Sequence, residues 1–121
     1  MSLRSDVADH LRARLPGFKV LAYQYEMDNS TMPVVMVHRS RINPHPDRHV
    51  LWENTLTVKV LSPQMVGEAA EDAADDALRA VLGALQDLPE VQWTEAERAT
   101  FANFIGYDVT VTFTSYSELE L

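Results

Sequence analysis

The sequence contains no cysteine among its 121 residues. That excludes a disulfide scaffold, a thiolate metal site and a cysteine nucleophile. Positive charge is scarce too, with ten Lys plus Arg against 18 Asp plus Glu, for a formal net charge of −8. Sequence-independent binding to nucleic acid or an anionic membrane needs clustered positive charge, so neither is expected of the chain as a whole. No stretch approaches the ~20 apolar residues of a bilayer crossing. The opening Met1-Ser2-Leu3-Arg4-Ser5-Asp6 has no apolar run and brings in acid early, unlike a secretory signal. The glycines at 17, 67, 83 and 106 are too scattered to cradle a phosphate. Neither a nucleophile elbow nor a metalloprotease helix motif is present.

What is present is enough for one core. Leu, Ile, Val and Phe together number 32 of the 121 residues, above the roughly 20% below which charged chains stay disordered. The length suits a single soluble domain, residues 1–121, with a radius of gyration of ~14 Å.

Residues 2–15 predict an amphipathic helix, because Leu3, Val7, Leu11 and Leu15 recur every four residues beside Ala8 and Pro16-Gly17 stops the run. Residues 18–26 lack a helical period and are rich in aromatic and β-branched types, which favours a strand. Residues 33–42 read as a central strand through the run Val34-Val35-Met36-Val37. Asn43-Pro44-His45-Pro46-Asp47 is a loop, since two prolines at that spacing cannot donate to a ladder. In residues 49–61, Val50, Trp52, Leu56, Val58 and Val60 alternate against Glu53, Thr55, Thr57 and Lys59. Strands 33–42 and 49–61 then make a long antiparallel hairpin.

Residues 65–88 predict a second helix with Ala70, Ala73, Ala74, Ala77, Leu78, Val81, Leu85 and Leu88 on one side. Glu68, Glu71, Asp72, Asp75 and Asp76 line the other, near the positive end of the helix dipole, with Arg79 continuing the stripe. Val91-Gln92-Trp93 reads as a short strand. In residues 94–105 the Thr94-x-x-Glu97 capping box competes with the strand formers Thr100, Phe101, Phe104 and Ile105, and strand pairing is favoured. Tyr107, Val109, Val111 and Phe113 alternate with Asp108, Thr110, Thr112 and Thr114 in a one-sided strand. The expected class is α+β, in the order α-β-β-β-α-β-β, with a mostly antiparallel sheet and both helices on one face.

The chemistry-bearing residues are few. His45-x-x-x-His49 has a metal-binding spacing for a helix, but one histidine lies between prolines and the other opens a strand, so a solvated or interfacial pair is the better reading. The acidic stripe offers no loop carbonyls to complete an oxygen cage and is read as a solvated face. No catalytic, cofactor or metal site is therefore assigned. Arg39, Arg41 and Arg48, with His38, His45 and His49, make one positive region on an acidic chain. It is either a hairpin tip of solvated charges or a partner surface. In the second case it meets the acidic stripe of another copy, the two-patch arrangement from which rings are built. The candidate interface set is then Arg39, Arg41, His45, Arg48, His49, Glu68, Glu71, Asp72, Asp75 and Asp76. A competing class is a small enzyme or ligand-binding domain with a pocket near Trp52, Trp93 and His38, the last sharing a face with Val34, Met36 and Ile42.

Four features together, the helix ending in Leu15-Pro16-Gly17, the hairpin with Arg39, Arg41 and Pro44 near its tip, the Ala/acid-rich helix 65–88 and the strand Tyr107–Phe113, resemble the tail terminator proteins of long-tailed bacteriophages. The resemblance covers almost the whole chain in length and element order, except residues 94–105. It implies a non-enzymatic virion protein that forms a homohexameric ring at the head–tail junction, is assembled in the host cytoplasm and needs no cofactor. Such a ring caps the head-proximal end of the tail tube, stops its polymerisation and presents a docking face to head completion proteins. Its partners would be further copies of itself, the tube protein and those completion proteins, with DNA only passing through the lumen and no membrane involved. Connector or stopper proteins of the same junction are the nearest alternative. Six copies would carry about −48 (six times −8), a charge that keeps passing DNA from adhering.

Overall fold

The computed structural model describes residues 3–23, 32–44, 51–63, 67–88, 91–101 and 104–116. Along the chain these form α1 (Leu3–Arg14), β1 (Lys19–Leu21), β2 (Val34–Pro44), β3 (Leu51–Leu61), α2 (Glu68–Leu85), β4 (Gln92–Phe101) and β5 (Phe104–Tyr116). The class is α+β. One five-stranded sheet runs in the order β1-β2-β3-β5-β4. All its pairings are antiparallel except β1 with β2, which is parallel and only three residues long.

Period-two alternation decides which face is buried. Val35 and Val37 of β2, Leu56, Val58 and Val60 of β3, and Val109, Val111 and Phe113 of β5 form one layer. Against it lie Val7, Ala8, Leu11 and Leu15 of α1 and its exit, with Ala77, Val81, Ala84 and Leu85 of α2. Both helices therefore cover the same face. The alanines of α2 let its axis approach the branched side chains closely. His10 Nε2 donates to the Ala84 carbonyl at 2.8 Å and so fastens the two helices to each other. The Arg12 guanidinium donates to the Val20 carbonyl at 3.0 Å, holding α1 to the edge strand β1.

The other face carries no helix among the described residues. Val34, Met36, Leu61 and Phe104 form a small second cluster there, with Phe101 packed against it. Lys59, predicted on a polar face, is buried there. Its ammonium lies 2.9 Å from Asp108 and 5.2 Å from the centre of the Phe101 ring, so a carboxylate and an aromatic face replace the lost water.

One sequence expectation is shortened by the structure, and the strand favoured over 94–105 is present in β4 and the start of β5. The strand expected over 18–26 is limited to Lys19–Leu21, and residues 22 and 23 form a bend; positions 24–26 lie outside the described residues. Residues 94–101 belong to a strand: β4 pairs with β5 from Gln92↔Thr112 to Phe101↔Phe104. The Thr94 hydroxyl donates to the Thr110 carbonyl across that pairing at 3.4 Å, so the capping-box residue serves a strand.

Gly106 lies opposite Leu61 in β5. A Cβ on it would sit 1.9 Å from the Val60 carbonyl oxygen and 2.9 Å from its carbon. Both atoms belong to backbone, which cannot rotate away as a flexible side chain would. Gly106→Ala is expected to cost about 3 kcal/mol, or to abolish folding, in urea denaturation; unchanged stability would contradict the close approach.

Candidate functional site

The acidic stripe of α2 divides in two. Glu71 and Asp75 lie beside the sheet and are engaged by it. Both terminal guanidinium nitrogens of Arg98 in β4, Nη1 and Nη2, donate to the two Glu71 carboxylate oxygens, the first at 2.7 Å. The Tyr107 hydroxyl of β5 donates to Asp75 at 2.7 Å. Arg98 and Tyr107 are register partners on the helix-bearing face, so two neighbouring strands present two donors to two acids one turn apart on α2. The sequence names Tyr107 only as one of the alternating residues of its strand and does not single out Arg98, and nothing in it marks the two as neighbours. The reading of all five acids as one solvated stripe is thus corrected for Glu71 and Asp75. Glu68, Asp72 and Asp76 are exposed, and Asp76 lies 3.4 Å from Arg79.

The shared network shifts two groups. The hydrogen bond to Asp75 raises the Tyr107 pKa above its ordinary 10.0, because a phenolate could no longer donate and would face a carboxylate; burial and the Asp75 charge push it the same way. The hydrogen bond to Glu71, and then that acid's charge, raises Arg98 further. These contacts are exposed, and solvent screens them; they orient α2 on the sheet more than they stabilise it.

The basic region lies elsewhere. Arg41 is exposed on β2 and pairs with Thr55, which pairs with Thr112. Arg39 occupies the register position opposite Leu56. His45, Arg48 and His49 lie outside the described residues. Arg98 marks the acidic side through its pairing with Tyr107. Five residues along β5 and three strand spacings across the sheet separate Arg41 from Arg98, about 22 Å on a flat sheet. That exceeds both contact distance and the ~8 Å Debye length of physiological salt. Arg41 and the acids beside Arg98 do not neutralise each other within one copy.

A β-bulge between Arg39 and Arg41 changes which residues share a face. Ser40 is the extra residue, and its hydroxyl lies 2.6 Å from that of Thr57. Beyond it, Ile42 pairs with Asn54 on the helix-bearing face, whereas His38 pairs with Thr57 on the other. The expectation that His38 and Ile42 share a face is therefore corrected. The pocket expected near Trp52, Trp93 and His38 does not form around those three. Trp52 and Trp93 stand on the helix-bearing face, in register with Ser115 and Val111, and His38 is behind the sheet.

Among the described residues, no three His, Asp or Glu side chains are grouped to hold a metal ion, and no helix is long and apolar enough to cross a membrane.

The Tyr107–Asp75 contact has a pH signature. Its folded pKa lies above the unfolded value, so its stabilisation is fully present below pH 10.0 and is lost as pH rises through the folded value. Wild type and Tyr107→Phe should differ by a constant amount at neutral pH and converge in alkali, as read by urea midpoints; a gap that widens in alkali would reverse the assignment. No protein-family model matches this chain, and no curated protein matches it either.

Proposed function

We propose that this chain is a structural, self-associating protein, a ring-forming tail terminator of a long-tailed phage. The observation that carries this reading is the separation of charge. Arg41, exposed on β2, and the acidic side on α2 stand about 22 Å apart in one copy, too far to pair internally, and Glu68, Asp72 and Asp76 are exposed as well. Two unlike patches on different sides of a fold are what a head-to-tail contact requires, and such contacts close into rings when the rotation permits. Read this way, the order α-β-β-β-α-β-β sets β2 and β3 as the arms of a long hairpin, with His45, Arg48 and His49 in the connection between them. The hairpin would reach the neighbouring copy with Arg39, Arg41 and Arg48 toward the exposed Glu68, Asp72 and Asp76.

A terminator must match the open end of a tube on one side and fail to reproduce that template on the other. A rigid ring of identical subunits meets this demand with shape and charge alone and needs no reactive centre. It would take the tube protein on one face and head completion proteins on the other. Its excess of acid would repel the phosphates of DNA in transit.

Light scattering after size exclusion, with negative-stain imaging, tests the reading. Six-fold annuli are expected for the wild type. Arg39→Glu combined with Arg41→Glu should leave only monomer, through repulsion from the acidic side. A wild-type chain that stays monomeric at every concentration and is stabilised by a small molecule would favour a ligand-binding domain instead.

A further inference from the structure

β4 closes the sheet on the side away from β1 and, among the described residues, pairs with β5 alone. Its side chains are exposed on both faces for most of its length. Past the bulge between Trp93 and Glu95, the pairing with β5 is unbroken from Glu95 to Phe101. Those seven residues span about 23 Å and turn every second N–H and C=O away from β5. A regular edge of this kind is a template for one more strand.

Register with β5 sorts the charges of this edge by face. Arg98, opposite Tyr107, stands on the helix-bearing face, and both its terminal nitrogens are taken by Glu71. The other face carries Glu95, Glu97, Ala99 and Phe101, opposite Thr110, Asp108, Gly106 and Phe104. Glu95 and Glu97 are exposed and form no ion pair among the described residues. The cation in register with Glu97 on this face is Lys59, which is held by Asp108 at 2.9 Å. It stands two strand spacings from Glu97, about 10 Å. The edge thus presents two uncompensated carboxylates, then a small side chain, then an aromatic ring.

We propose that the outer edge of β4 accepts an extended strand of another protein, one with lysine or arginine opposite Glu95 and Glu97 and an apolar side chain opposite Phe101. Backbone pairing supplies the attachment, and the two carboxylates select the sequence. This does not rest on the ring reading above, since a single copy carries the whole edge.

Charge disfavours a second copy of β4 as the occupant. Two β4 strands laid antiparallel, with their helices on one side, oppose residues of the same face. Centred on Ala96, this sets Glu95 against Glu97 twice; centred on Glu95, Glu97 or Arg98, it sets that residue against itself. Like charges directly opposed are unfavourable. Arg98 cannot relieve the acids, because it stands on the opposite face and is already bound to Glu71. Centred on Ala99, the pairing avoids like charges but keeps only residues 97–101 in contact. Centred nearer Gln92, it meets the bulge. The glutamates that repel a like strand attract a basic one, so they blunt the edge against its own kind and leave it open to another.

The test uses the full chain and an end-capped peptide, Val-Thr-Ala-Thr-Lys-Thr-Lys, which laid antiparallel sets valine opposite Phe101 and the lysines opposite Glu97 and Glu95. Calorimetric titration should show saturable binding, and hydrogen exchange should slow at alternate amides of residues 95–101. Replacing both lysines by glutamate should weaken binding about tenfold. Glu95→Lys with Glu97→Lys, its folding checked by circular dichroism, should prefer the glutamate peptide instead. Two backbone-methylated peptides separate strand pairing from simple charge attraction. Methyl groups on one alternate set of amides face β4 and should abolish binding, whereas those on the other set should be tolerated. Binding indifferent to the choice of set, or no binding to the folded chain, would overturn the proposal. So would amides of β4 that become protected without peptide as the protein concentration rises, which would give the edge to a second copy. Light scattering on the same samples reads ring formation separately, so the two readings can fail independently.

Discussion

The structure depends on one contact, the burial of a β-branched sheet face under two helices. Val35, Val37, Val58, Val60, Val109 and Val111 present stiff side chains at regular spacing, and the small residues of α2 allow close approach. Burying one such valine contributes about 1.5–3 kcal/mol, a large share of the stability of a domain this size. Every other feature is arranged around this layer. His10 and Arg12 fix α1 to it, while Arg98 and Tyr107 fix the first turns of α2. These polar ties orient what hydrophobic burial has already brought together.

Covering only one face has consequences at the margins. β2, β3 and β5 run past the short β1 and the start of β4. Among the described residues, the face without helices carries Ser40, Thr57, Thr110 and Thr112.

The central elements were legible because each buries one face only. The stripe Val7, Ala8, Leu11 and Leu15, the alanine side of α2, and the alternations in β3 and β5 all follow from that geometry. β4 was harder to read for the converse reason. As an edge strand beyond the helices it is exposed on both faces for most of its length, so hydrophobicity has nothing to alternate against. The faces of β2 were misassigned past residue 39 because a bulge adds one residue without leaving a mark in composition. In the candidate site, the exposed acids were visible as a stripe. Their division into engaged and unengaged members was not, since Arg98 and Tyr107 reach Glu71 and Asp75 only through a long-range pairing.

Trp52 and Trp93, the two tryptophans in the sequence, stand on the same face of the sheet, one on β3 near the start of that strand and the other on β4. Trp93 is 37% exposed, and neither belongs to the layer beneath the helices. The chain thus carries an intrinsic optical probe at its rim. Emission excited in the indoles reports the polarity around the margin of the sheet and is nearly blind to events in the centre of the fold.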